Sequence, residues 1–252
     1  MTKQGRWVLG LGVAWGVLLA AGAVYMARYG EATVREQRSI SQAQPVVDRA
    51  TSVVLGAAGP DTAAEISGYE LRAPCKISAA RPGVNYQRVV NLYVKQGEEK
   101  ALLEKLRAGL PASYDAQIKA GTLWADAGEF VRVTGTVPGP GQVRVSSYTG
   151  CRPEDTLATF KAAADDRGLG EALALLAVQP ADRQVHQVLC ATTVTASAPG
   201  ASPGPLPEKF AGKTLVLSTP DKVVYRERDV TIVVSASGGE LTLSQTVANC
   251  TP

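Results

Sequence analysis

Val131 to Cys151 reads VRVTGTVPGPGQVRVSSYTGC, and Val230 to Cys250 reads VTIVVSASGGELTLSQTVANC. Each stretch has 21 residues: an alternating run, a glycine-containing turn, a second run, and a cysteine at the same offset. A period of two sends alternate side chains to opposite faces of a strand. Val131, Val133 and Val137 with Val143 and Val145 therefore predict the buried face of a hairpin. Leu241, Leu243 and Val247 predict the same for the second stretch. A hairpin that recurs with its cysteine is the mark of an internal duplication.

Working outward, the upstream segments correspond too. Val46, Val47, Ala50, Val53, Val54 and Ala57 recur at helical spacing behind Pro45, a residue suited to a first helical turn, and Gly59-Pro60 ends the run. Glu70 to Ala79, carrying Cys75, and Tyr86 to Lys95 read as strands joined by Arg81-Pro82-Gly83. Leu102, Leu103, Leu106 and Leu110 predict a helix from about Glu98, with a short helical piece from Tyr114 to Lys119. In the second half, Asp155 to Asp166 and Glu171 to Val178 read as helix, with Gly168 and Gly170 as breakers between them. Gln184 to Ala196 reads as one strand carrying Cys190, and 198–207 as a Pro/Gly-rich loop with one turn near Phe210. The expected fold is α+β, with an N-terminal transmembrane helix and then two related subdomains of antiparallel sheet covered by helices. The subdomains are expected at 45–152 and 153–252.

The four cysteines, Cys75, Cys151, Cys190 and Cys250, are scattered, with no CxxC and only one histidine in the chain. Metal binding needs closely spaced ligands, so the expectation is two disulfides and no metal. Four cysteines allow three pairings. Duplication favours one bond inside each copy, Cys75 with Cys151 and Cys190 with Cys250; pairing across the copies is the alternative. Closing loops of this length stabilises by roughly 4 kcal/mol each in the chain-entropy picture.

Trp7 to Ala27 contains no charged residue. Its 21 residues would reach roughly 30 Å as a helix, the thickness of a bilayer core. An uncleaved anchor and a signal peptide cut after Ala21-Gly22-Ala23 both fit, the length favouring the anchor. The expected layout is a cytoplasmic tail at 1–6, a transmembrane helix at 7–27 and a juxtamembrane stalk at 28–44. Flanking charges are nearly balanced, and the disulfides decide for a cytoplasmic N-terminus and an extracytoplasmic C-terminal region. Gly12, Gly16 and Ala20 share one helix face with the spacing that lets membrane helices dimerise.

Function is barely legible. Beyond Lys3 and Arg6 the chain carries 24 basic and 23 acidic residues, which gives no electrostatic case for nucleic acid. No phosphate loop, zinc-protease, nucleophile-elbow or calcium-loop motif occurs. The acidic pairs Glu98-Glu99, Glu154-Asp155 and Asp165-Asp166 are sequence neighbours and do not face each other. His186, flanked by Val185 and Gln187, reads as a solvent-facing strand residue. Trp124 beside a turn is a candidate interface residue. No catalytic residue and no cofactor is expected. The leading expectation is a non-enzymatic, membrane-anchored module on the bacterial cell envelope. Its partners would be the lipid bilayer, an envelope protein and a second copy through the membrane helix. The alternative is an enzyme or small-ligand binder acting on envelope material, recognisable by a polar cleft between the copies.

Overall fold

The computed structural model describes residues 3–29, 38–79, 81–158, 165–200 and 204–250. The first copy is a six-stranded antiparallel sheet built from β1 (Ala63–Lys76), β2 (Pro82–Tyr93), β3 (Gln117–Lys119), β4 (Thr122–Asp126), β5 (Arg132–Gly139) and β6 (Gln142–Tyr148). Its order is β1-β2-β6-β5-β4-β3. The second contains β7 (Asp182–Gln187), β8 (Ala191–Pro199), β9 (Leu215–Thr219), β10 (Lys222–Glu227), β11 (Val230–Ser237) and β12 (Glu240–Ala248). Its order, β7-β8-β12-β11-β10-β9, repeats the first strand for strand. The fold is α+β with a duplicated topology.

Each sheet is covered on one face by helices. Val47 and Val54 of α2 (Ile40–Ala58) and Leu102, Leu103 and Leu106 of α3 (Glu99–Gly109) pack with Ile66, Leu92, Val133, Val143 and Val145. Leu169 and Ala172 of α4 (Arg167–Leu176), with Leu206 of α5 (Leu206–Lys209) and the adjacent Phe210, pack with Val223, Ile232, Leu241 and Leu243. A smaller cluster of Ala63, Tyr93, Leu217, Val224 and Val233 lies between the two sheets. The helix-free face of the second sheet therefore meets the β1 side of the first.

The joint between the sheets is made by β1, which crosses the strands of the second sheet one after another. The Gly68 backbone meets His186 on β7. The Ile66 N–H donates to Thr193 Oγ1 on β8 at 3.2 Å, and Ser244 Oγ on β12 donates to Glu65 Oε1 at 2.6 Å. The Ala64 N–H donates to Thr231 Oγ1 on β11 at 3.4 Å, and Ala63 packs with Val224 of β10. An edge strand exposes a row of unpaired backbone groups. Here threonine hydroxyls of the other copy take up two of them.

The structure corrects several expectations. Helix α1 (Lys3–Tyr29) forms, but among the described residues no helix is long and apolar enough to cross a membrane. The transmembrane helix at 7–27, the lipid partner and the single-pass placement are withdrawn on that finding. A Cβ added at Gly12 or Gly16 would have nothing within 4 Å, and with no spanning helix the Gly12/Gly16/Ala20 dimer face loses its setting. The envelope-docking module rested on the anchor and is withdrawn with it. Of the stalk expected at 28–44, residues 30–37 lie outside the described residues, 28–29 belong to α1 and 40–44 to α2.

Other differences are local. Helix α2 starts at Ile40, leaving Pro45 inside the helix. A local Ser39/Gln42 capping box starts the helix there, and Asp155 supports it from afar: Oδ1 accepts the Ser41 N–H at 2.8 Å and Oδ2 the Ser41 hydroxyl at 2.6 Å, while the Ile40 N–H donates to the Pro153 carbonyl. These partners satisfy helix-start donors from more than 110 residues away, where no local pattern shows them. Gly168 and Gly170 do not break a helix but lie within α4. A Cβ on Gly168 would sit 3.0 Å from Gln245 Oε1 and 3.1 Å from Ile232 Cδ1, so glycine there allows close helix–sheet packing. Within the expected helix 155–166, residues 159–164 lie outside the described residues. Gln184 to Ala196 is two strands around a turn, and 114–119 is a 3₁₀ turn (Ala112–Tyr114) followed by β3. Val137 is 41% exposed at the hairpin tip, beyond the register shift that follows Thr136.

Candidate functional site

A cleft of about 320 Å³ opens where α2, the middle of β1 and β2 face β7 and residues 157–158. Its floor is a buried polar network. Asp48, one turn beyond Gln44 on α2, forms a salt bridge with Arg88 of β2, whose side chain is only 4% exposed. Arg88 Nε also donates to the Ser67 carbonyl at 3.2 Å, and its guanidinium lies 5.0 Å from the Tyr69 ring centroid. The Tyr69 hydroxyl donates to Asp48 Oδ1 at 2.6 Å. Every member has a partner, as a buried charge requires. Burial, then the neighbouring Asp48, drives the Tyr69 hydroxyl well above its ordinary pKa. It therefore stays protonated and remains a donor.

The roof is tied down by Gln44. Its Nε2 donates to the Ala158 carbonyl at 3.0 Å, and its Oε1 accepts the Ala158 N–H at 2.9 Å. One side chain thus reproduces a backbone pairing and fixes the 157–158 segment over α2.

The opposing wall carries His186. It does not face open solvent: it is half-buried and lies against Gly68, where a Cβ would come within 2.9 Å of Cε1 and 3.2 Å of Nδ1. Only a residue without a side chain lets the ring approach so closely. Among the described residues neither ring nitrogen has a protein hydrogen-bond partner, and neither is sealed from the cleft. Burial, then the Arg88 charge, lowers its pKa below 6.5, while Glu65 and Glu70 pull the other way. The imidazole is neutral at pH 7, with one nitrogen to donate and one to accept. Arg88 and Asp48 cancel, so the cleft offers hydrogen bonds without a strong net charge.

The other sequence-derived residues lie elsewhere. Cys75 is bonded to Cys151 and Cys190 to Cys250, with Cα separations of 6.0 and 5.0 Å. Each bond ties the turn end of a copy's first hairpin to a residue two or three positions beyond its last strand. Trp124 is on β4, 41% exposed, with the Arg132 guanidinium 5.8 Å from its ring centroid; it takes no part in the cleft. Among the described residues no three His, Cys, Asp or Glu side chains converge to hold a metal. Asp48, Tyr69 and Arg88 escaped sequence reading because they come from three elements. One available signal was an arginine directly before the apolar pair Val89-Val90 in β2. The chain matches no known protein family, no curated protein and no solved structure.

Proposed function

We propose that this protein binds a small, uncharged polar ligand in the cleft between its two copies. The observation that carries the reading is His186, a half-buried neutral imidazole whose nitrogens have no protein partner among the described residues, set opposite a fully satisfied Asp48–Arg88–Tyr69 floor. A half-buried donor–acceptor pair that opens on a cleft without a protein partner is where a ligand completes the set. The floor fixes the shape of the site and His186 supplies the bonds. A volume of about 320 Å³ suits a molecule of the size of an amino acid, a dipeptide or a single sugar. Among the described residues no nucleophile with an adjacent base lines the cleft.

The test uses the full chain and a panel of free amino acids, dipeptides and monosaccharides, read by the side-chain NMR signal of the single histidine. One compound class should shift that signal saturably. Gly68→Val, which drives a side chain into the imidazole, should weaken binding at least about tenfold with the circular dichroism unchanged, since the donor–acceptor pair is displaced. A panel that leaves the histidine signal still, or a Gly68→Val protein that binds as well, overturns the reading.

A further inference from the structure

The two copies differ at the turn between their fourth and fifth strands. In the second, Glu227 pairs with Val230, leaving a two-residue turn. In the first, Asp126 pairs with Arg132, and residues 127–131 loop out between them. Gly128, Glu129 and Phe130 are all left-handed, with φ of 81°, 51° and 63°. Two consecutive non-glycine residues in that region are costly and persist only when the surroundings hold them. The holder is Arg152, whose buried guanidinium donates to the Glu129 and Thr149 carbonyls. The result is a phenylalanine held 53% exposed at the rim of a cavity of about 580 Å³.

We propose that this cavity is a second binding site, for an organic carboxylate with an apolar body. Phe130, Ile77 and the Cys75–Cys151 disulfide supply the apolar wall. Lys76 and Arg132 supply the charge. Neither makes a salt bridge among the described residues, whereas six other basic side chains do. The single carboxylate in the lining, Asp126, already accepts the Gly128 N–H at 2.9 Å. Trp124 is a positioning residue. Its ring centroid lies 5.8 Å from the Arg132 guanidinium carbon and restrains that group from one side, leaving its N–H groups for the two oxygens of a carboxylate.

The second copy serves as an internal control. Strand register sets Trp124, Arg132, Thr134 and Tyr148 against Val224, Thr231, Val233 and Thr246. There the same face is covered by β1, the side chains are small or apolar, and the long turn is absent. Arg132, its Trp124 partner and the inserted turn occur together in the copy whose face is open; in the other, Thr231 and Val224 stand at those two positions and the turn has two residues.

The site is tested by titrating the full chain with phenylacetate and, separately, with its neutral isostere phenylacetamide, following backbone amides by NMR. Phenylacetate should give saturable shifts at Phe130, Arg132 and Gly150 that weaken with added salt, and phenylacetamide should bind about tenfold less tightly, for loss of a charge-assisted pair. Arg132→Gln and Lys76→Gln, both on exposed side chains, should each reduce that acid-over-amide preference. Trp124→Leu should reduce the preference while leaving amide binding in place, a split that simple loss of structure does not produce. Equal affinity for acid and amide, shifts that never saturate, or an unchanged preference in Arg132→Gln overturns the site.

Discussion

His186 is the only histidine in the chain, so a single imidazole resonance reports its ionisation with no assignment problem. Its pKa is lowered, first by burial and then by Arg88. Between that lowered value and the ordinary 6.5, the unfolded chain binds a proton that the folded protein does not. Stability should fall as the pH drops through 6.5 and level off once the folded-state imidazole is also protonated. An NMR titration should place the midpoint below 6.5, and denaturant midpoints should be lower at about pH 5.5 than at about pH 7.5. A midpoint at or above 6.5 would mean that the ring is not held against Gly68. Alternation around Val185 made this residue look like solvent-facing strand, and so it would be on an isolated sheet. What turns it into a site residue is Gly68, far away in sequence and identifiable only by the contact it permits.

At the scale of elements, legibility followed length and repetition. The hairpins ending at Cys151 and Cys250 could be read because each offers two long alternating runs and appears twice. Strands β3 and β4 could not: Gln117–Lys119 is three residues long, too short for any period to show. The helix–sheet contact at Gly168 and the Asp155 cap on α2 were invisible for a different reason, since both depend on partners far along the chain. Edge strand β1 yields a test of such partners. Thr193→Val keeps the shape of the side chain but removes the oxygen that accepts the buried Ile66 N–H and that also pairs with the Thr246 hydroxyl at 2.7 Å. It should destabilise the protein by about 1–2 kcal/mol, the cost of an unsatisfied buried donor. Thr231→Val, at the longer 3.4 Å contact, should cost less. Urea denaturation of both variants decides it, and equal, negligible losses would show that β1 does not depend on the second copy for its edge.

For the whole molecule, the two disulfides close separations of 76 and 60 residues, and replacing either pair with alanines should cost about 3 kcal/mol. Their further effects should differ. Arg152 follows Cys151 directly and holds the Glu129 carbonyl, so Cys75→Ala/Cys151→Ala should also loosen the Phe130 turn. Limited chymotrypsin digestion should then cut after Phe130, while the Cys190→Ala/Cys250→Ala protein resists at that bond. Equal cutting in both would sever the link between disulfide and turn. The crossing of β1 over the second sheet has a consequence in terms of symmetry. Two copies related by a two-fold axis would each use the same patch and leave nothing over. Here the edge of one meets the face of the other, a heterologous joint that in principle extends without end. The free ends of this pair are the β7 edge and the open face of the first sheet. Asp182, Arg183 and Gln184 make that edge exposed and polar, and Arg132, Trp124 and Tyr148 fill that face with bulk where Thr231, Val224 and Thr246 left room. Both free ends thus differ in side-chain size and polarity from the surfaces that meet at the joint.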